Sequence, residues 1–454
     1  MFKAALSLAF LAVPFSLACN GNALEGGNGD GGSSGCVGRQ CQINTSCPAG
    51  SGPTTLTGTV TIPSGLLPLY NAQVYIPTGD VPPAPTSGAS CDRCDAMLAS
   101  DAAASTTTGY DGKFTLTNVP SGSKIPLIIR VGKWRRVVML DSVADCTTTQ
   151  LSAGQTRLPR NQTEGNIPKI ALTTGMADAL ECILRGPKLG LDDSEFTLPS
   201  GKGRVNLYAG GQASTGTQGT LKYDNSLGGA PLPTASSWWS GAGNPFMSYD
   251  LVLFSCEGQQ NSSDKPQSAR DNLQAYIDAG GRAFASHWHN VWLTSNVSPK
   301  PPLASIATFV PNNTDASLGN ISAQIDTSWD KGAALADWLE LPSVTLPPPP
   351  PRGTLSIAQA KASLVTLDSQ KSKTWVTYNG KPQYFSFDAP IGAPEANQCG
   401  QMVFTDLHLS GATTDVSKGT EFPKGCMSTA LSAQEKALIF MLFDLSNCLQ
   451  PPVG

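Results

Sequence analysis

The N-terminus of the chain has the features of an export signal. Lys3 supplies a positive charge, and the apolar run from Ala4 to Leu17 is shorter than the roughly 20 residues that a membrane-spanning helix needs. Residues 1–18 are therefore predicted to be a signal peptide. Export places the 12 cysteines of the chain in an oxidising environment, so they predict a framework of disulfides in the mature protein.

The predicted signal ends in Ser16-Leu17-Ala18-Cys19, which resembles a bacterial lipobox. The resemblance implies that Cys19 is acylated and tethers the protein to a membrane, at the outer membrane or the cell surface. Ordinary cleavage nearby, with Cys19 as a plain thiol, is the alternative. If Cys19 is acylated, an odd number of cysteines remains, which leaves at least one thiol outside intramolecular disulfides.

Composition separates a stalk from the folded body. Residues 19–53 are rich in Gly, Asn and Ser and almost free of apolar side chains, which is typical of a flexible linker. Over the whole chain, 40% of the residues are hydrophobic and the net charge is -4. Cores can therefore form, and no nucleic acid is expected as a partner. The length of 454 residues is enough for two or three domains.

Residues 54–150 show the alternation of polar and apolar side chains that is typical of β-strands. Asp111-Gly112 predicts a hairpin turn, and Phe114 and Leu116 face the same side of the strand that follows. This stretch and the turn at 120–122 resemble the carboxypeptidase regulatory-like, transthyretin-type β-sandwich. The resemblance implies a non-catalytic spacer or binding domain.

A Cys-x-x-Cys motif, formed by Cys91 and Cys94, lies in an insertion near residues 77–105 of this region. No second half-site follows that would complete a zinc centre. The motif therefore predicts two structural disulfides, with partners such as Cys146 or the cysteines of the stalk.

Residues 165–448 alternate between predicted strands and helices, which favours a parallel sheet covered on both faces. A predicted amphipathic helix at 267–279 ends at Gly280-Gly281, and Ser432 with Glu435 predicts the capping box of the last helix. An insertion at about 296–395 is expected beside the sheet. The predicted strands are 169–173, 204–208, 249–255, 282–286 and 401–406. The predicted fold class is multidomain: an all-β sandwich followed by a flavodoxin-like α/β domain with a mostly parallel sheet.

The three histidines of the chain follow two of these strands. His287 and His289 come directly after the fourth strand, and His408 comes after the last. Cys256 and Glu257 follow the third strand. Because ligands of open parallel sheets bind at the carboxyl ends of the strands, we expect these side chains to share one crevice.

Three interpretations of this set stay open. In the first, His287, His289 and His408 bind a divalent metal such as zinc, with Glu257 or Asp406 as a further ligand, since alternate residues of a strand share a face.

In the second interpretation, Cys256 is a nucleophile and a histidine is its base. In the third, the histidines and Cys256 are packed or disulfide-bonded, and Cys182 is the expected partner of Cys256.

Two segments, 279–287 and 400–408, resemble the ThuA-like branch of the class I glutamine amidotransferase-like fold, with a Gly-Gly, a strand and a strand-end histidine. The resemblance implies a sugar-like or other polar ligand. The whole layout also resembles uncharacterised exported proteins of myxobacteria. Two functions remain: a surface lipoprotein that acts as a binding or assembly module for carbohydrate, with Trp288 and Trp292 as stacking candidates, or a metal- or His-dependent hydrolase with its site at the strand ends.

Overall fold

A computed structural model describes residues 35–94, 101–347, 349–409 and 413–449. From Val37 onward the chain forms one compact unit. The predicted signal peptide, Cys19 and most of the predicted stalk lie outside the described residues, so acylation of Cys19 stays a prediction. Within the described ranges, no helix has the length and apolarity that crossing a membrane requires.

Seven strands between residues 55 and 150 form two small sheets. One sheet has the order β4-β1-β7 and the other the order β3-β2-β5-β6. The strands are β1 Thr55–Thr59, β2 Gln73–Pro77, β3 Ala102–Thr107, β4 Lys113–Thr117, β5 Gly122–Val131, β6 Trp134–Val143 and β7 Thr148–Gln150. Phe114 and Leu116 of β4 are buried while their neighbours along the strand are exposed, which confirms the predicted alternation.

The remaining strands form a ten-stranded mixed sheet and a separate pair. The large sheet has the order β15-β14-β17-β18-β19-β12-β11-β8-β10-β9, and β13 pairs with β16. The strands are β8 Ile170–Thr173, β9 Phe196–Thr197, β10 Val205–Tyr208, β11 Leu251–Phe254, β12 Arg282–Ser286, β13 Ala307–Phe309, β14 Ala316–Ile325, β15 Thr354–Ala362, β16 Leu364–Leu367, β17 Lys373–Tyr378, β18 Lys381–Ala389 and β19 Gly400–Thr405. The strands from β19 to β9 run parallel to one another.

Helices cover both faces of the parallel part. Alternate residues of β11 enter two cores: Leu251 and Leu253 pack in the core that contains the last helix, whereas Val252 and Phe254 pack in the core that contains Leu273. Burial on both faces explains why these strands are continuously apolar. The α-helices are α1 Ala153–Thr156, α2 Leu180–Leu184, α3 Ala235–Trp239, α4 Gln267–Asp278, α5 Asp330–Leu339 and α6 Ala433–Ser446.

Local signals in the sequence predict the start of one helix correctly and the start of another incorrectly. The capping box of α6 is confirmed, because the Ser432 side chain accepts the backbone N–H of Glu435 and the Glu435 side chain accepts the backbone N–H of Ser432. The apolar pattern of the sequence also predicts a helix over residues 176–184, but the observed helix begins only at Leu180. The N–H of Ala177 donates to the carbonyl of Cys256, so this segment binds the end of β11 instead of starting a helical turn.

The insertion extends the large sheet. Strand β18 pairs antiparallel with the whole length of β19, and β17, β14 and β15 continue the sheet outward. The sequence predicts an insertion beside the sheet, but the free edge of β19 offers unpaired backbone groups, and β18 of the insertion pairs with them.

The disulfide pairing differs from two expectations. Cys91 and Cys94 do not pair with Cys146 or with the stalk, and Cys182 does not pair with Cys256. Spacing alone does not determine pairing, and the segment around Cys91 packs along the later part of the chain. The pairs are Cys47–Cys146, Cys91–Cys399, Cys94–Cys448 and Cys182–Cys426; Cys36 and Cys41 are disulfide-bonded as well. Such a framework is typical of proteins outside the cytoplasm.

Candidate active site

Three chemically active side chains follow neighbouring parallel strands. Cys256 follows β11, His287 follows β12 directly, and His408 follows β19. The registers of β11 with β12 and of β12 with β19 bring the carboxyl ends of these strands level with one another. The fold therefore places the three residues at one edge of the sheet.

The three side chains form a compact cluster. One ligand atom from each of Cys256, His287 and His408 lies within 4.8 Å of the other two. The Sγ of Cys256 is 3.6 Å from Nδ1 of His287, and the two imidazole centroids are 4.5 Å apart. Cys256 is the free cysteine among the described residues.

The cluster is largely closed to solvent. Cys256 is 0% exposed, His287 1% and His408 8%. The Nε2 atom of His408 is buried and has no hydrogen-bond partner among the described residues. Since a buried polar atom without a partner is costly, this nitrogen is a candidate donor atom for a ligand.

An aspartate from the insertion reaches the far side of His287. Oδ2 of Asp315 lies 3.2 Å from Nε2 of His287, and the Asp315 side chain is 12% exposed. The two atoms are at ion-pair distance, although the direction of the ring N–H does not meet hydrogen-bond geometry. Sequence reasoning missed Asp315, because it lies in an irregular part of the insertion with no strand or motif before it.

Burial sets the protonation states of the cluster. It lowers the pKa of His287 to about 3, with His408 as a second cause, and it also lowers the pKa of His408. Burial raises the pKa of the Cys256 thiol well above its usual value, and the nearby Asp178 adds to the effect. At neutral pH both imidazoles are therefore neutral, as metal ligands must be.

His289 and Glu257 lie in a separate polar network. Nδ1 of His289 accepts the indole N–H of Trp292 at 3.0 Å, and its Nε2 is 3.6 Å from Oε1 of Glu257. The other oxygen of Glu257 accepts from Lys265 at 2.9 Å and Asn261 at 2.8 Å. The prediction that His287 and His289 share a face assumes an extended chain. A 3-10 helix over His287–Trp292 instead turns His289 away from His287.

Asp406 holds the insertion in place. Its carboxylate accepts the backbone N–H of Ser363 at 2.9 Å and of Leu364 at 2.8 Å, together with the Ser363 hydroxyl. Burial raises its pKa to about 6. With its oxygens bound to this strand end, Asp406 is not part of the cluster of Cys256, His287 and His408.

The cluster fits a tetrahedral metal better than a nucleophile. Zinc bonds of about 2.3 Å to sulfur and about 2.05 Å to nitrogen imply a sulfur–nitrogen separation of about 3.6 Å at the tetrahedral angle, which matches the distance from Cys256 to His287. A cysteine nucleophile needs an accessible thiolate, and Cys256 is fully buried. Burial also raises the pKa of its thiol, which disfavours the thiolate in either role, but a metal would deprotonate a coordinating thiol.

Solved structures that are loosely similar to this chain include two proteins from bacteria. No protein-family model and no curated protein matches the sequence. A ThuA-like protein from Bacteroides uniformis aligns over 60% of this chain and 88% of its own length, with 8% identity and a TM-score of 0.31. A cytoplasmic protein from Salmonella typhimurium aligns over 61% of this chain and 98% of its own, with 9% identity and a TM-score of 0.29. Superpositions this loose carry no argument about function, so the site is interpreted from its own geometry.

Proposed function

We propose that this chain is an exported metal-dependent hydrolase whose metal is bound by Cys256, His287 and His408. The observation that carries the proposal is the buried cluster, in which one ligand atom from each residue lies within 4.8 Å of the others. Three protein ligands leave the fourth position of a tetrahedral site for water or substrate, as in catalytic zinc centres. When bound, such a metal activates water at neutral pH and polarises a carbonyl or phosphoryl oxygen.

The order of the parallel strands supports a binding site at this edge. With the two-residue edge strand β9 set aside, the strands β8, β10, β11, β12 and β19, numbered in chain order, lie in the order 2-1-3-4-5, and on this basis we propose a flavodoxin-like arrangement. In such sheets, ligands bind at the carboxyl ends of the strands, where the order reverses between the first and third strands. Cys256 follows β11, the third strand of this series, so the cluster begins at that point.

The alternative function, carbohydrate binding at the cell surface, has less support. All eight tryptophans are described, and none of them is exposed, so no indole offers an open face for stacking on a sugar. We retain export and a lipid anchor at Cys19 as part of the proposal, with residues 54–150 as a regulatory-like spacer. A mass spectrum of the mature N-terminal peptide without acyl chains would exclude the anchor.

Metal content tests the proposed centre directly. We expect the purified wild-type protein to bind one equivalent of zinc, measured by elemental analysis after equilibrium dialysis. The double variant His287→Ala/His408→Ala and the single variant Cys256→Ser should bind much less, because each loses donor atoms of the cluster. Hydrolysis of a chromogenic ester should stop when a chelator removes the metal and return when zinc is added.

His289→Gln is the matched control. It removes the remaining imidazole of the chain, but His289 lies outside the cluster, so the variant should bind as much zinc as the wild type. A wild-type protein that binds no zinc, or a double variant that binds as much as the wild type, would contradict the proposed centre.

A further inference from the structure

The carboxylate of Asp315 lies next to the imidazole of His287. Its Oδ2 lies 3.2 Å from Nε2 of His287, and no hydrogen bond to this oxygen exists within the described residues. Its side chain is only 12% exposed. Desolvation of a carboxylate is unfavourable unless a partner replaces the lost water. The burial of Asp315 beside His287 therefore indicates that this carboxylate has a role in the site.

We propose that Asp315 is a positioning residue for the metal centre: it accepts the Nε2–H of His287 and thereby directs the lone pair of Nδ1 toward the metal. The inference rests on the proposed function. A neutral imidazole has one donor and one acceptor nitrogen. Because Nδ1 faces Cys256 Sγ at 3.6 Å, the useful tautomer carries its proton on Nε2, where Asp315 lies.

Metal-binding histidines generally donate their second ring nitrogen to a carboxylate, a carbonyl or water. This outer contact fixes the tautomer and the orientation of the ring and raises the basicity of the ligand nitrogen. Such contacts are often poorly aligned in the unliganded protein and tighten when the ligand binds. The 3.2 Å separation between Nε2 of His287 and Oδ2 of Asp315 is short enough for this contact to form.

Strand pairing within the insertion, together with a contact to Asp406, holds the segment next to Asp315 in position. Asp315 directly precedes β14, and the first pair of that ladder, Ala316 with Ala362, joins β14 to the end of β15. The next residue, Ser363, is bound by the carboxylate of Asp406 at the end of β19. The same strands that extend the sheet thus deliver a carboxylate to the cluster, so the insertion is part of the site.

The test is titration of the wild type and of variants with Co²⁺, followed by the visible absorption of the bound metal. Asp315→Ala removes the acceptor, and we expect it to weaken Co²⁺ binding by about 10- to 100-fold and to change the ligand-field bands. Asp315→Asn keeps an acceptor oxygen of the same size, so it should recover most of the affinity and the wild-type spectrum. Asp141→Ala removes an exposed carboxylate that pairs with Lys124 and should bind Co²⁺ as the wild type does.

The outcomes separate this inference from the proposed function. If the wild type binds no Co²⁺, both fail. If the wild type binds Co²⁺ and Asp315→Ala binds it within twofold of the wild type, the role of Asp315 is wrong and the metal centre stands. An equal loss in Asp315→Asn and Asp315→Ala would also overturn the positioning role, because the loss would then come from the charge.

Discussion

His287 adopts a φ of 41°, in the left-handed region that is unfavourable for side chains other than glycine. Strain of this kind costs on the order of 1–3 kcal/mol and collects at functional sites. The turn lets the chain leave β12 and place the imidazole beside Cys256 and His408 instead of continuing along the strand. The strained turn thus brings the buried imidazole of His287 next to the free thiol of Cys256.

A second residue-scale contact gives a prediction on pH dependence. The carboxylate of Glu164 binds the guanidinium of Arg157 through two hydrogen bonds of 2.6 Å, and Arg157 holds the pKa of Glu164 well below its usual value. Because the pKa of Glu164 is lower in the folded protein, its carboxylate stabilises the fold at pH values above its unfolded pKa of about 4.3. This stabilisation is lost as the pH falls through the folded pKa. Glu164→Gln should therefore lower the free energy of unfolding at pH 7 by about 1–2 kcal/mol, and by less at pH 3.

Urea denaturation at the two pH values checks this prediction. Asp141→Asn, which removes an exposed carboxylate, is the control and should change stability little. The same destabilisation of Glu164→Gln at pH 3 and pH 7 would show that the ion pair is not its source.

At the scale of elements, prediction from the sequence was best where a local signal is sufficient. The strand predicted at 249–255 is observed as Leu251–Phe254, and the helix predicted at 267–279 as Gln267–Asp278. Apolar period, capping residues and the Gly280-Gly281 stop all act within a few residues. The start of α2 and the role of the insertion were missed, because contacts with Cys256 and with the edge of β19 decide them.

At the scale of the whole molecule, the two described disulfides with the longest sequence separation begin in the same short segment of the chain. Cys91 and Cys399 are separated by 308 residues, and Cys94 and Cys448 by 354. Both start from the segment between β2 and β3; one ends just before β19 and the other just after α6. By contrast, Cys47–Cys146 closes a loop of 99 residues. A first bridge of this length removes more conformations from the unfolded chain than Cys47–Cys146 does, but the second then closes only a short further loop, because Cys91 and Cys94 are neighbours in the chain.

Removal of one long bridge should cost about as much as removal of the short one, because the neighbouring bridge Cys94–Cys448 remains and holds the same parts of the chain together. We expect Cys91→Ser/Cys399→Ser to lower the free energy of unfolding by roughly 2–5 kcal/mol. In the chain-entropy account Cys47→Ser/Cys146→Ser should agree with this value to within about 1 kcal/mol. Urea unfolding without reductant measures both. If the Cys91/Cys399 variant is as stable as the wild type, these cross-links do not stabilise the fold through the unfolded chain.

The sequence by itself determined the strand-rich character of the fold, the individual buried strands and the placement of Cys256, His287 and His408 after them, because these follow from local periodicity and from the general geometry of parallel sheets. Only the tertiary structure decided which side chains meet. The turn at His287 separates His289 from the cluster, and the insertion brings Asp315 to it. Such contacts join residues distant in the chain, and no pattern of neighbouring residues encodes them.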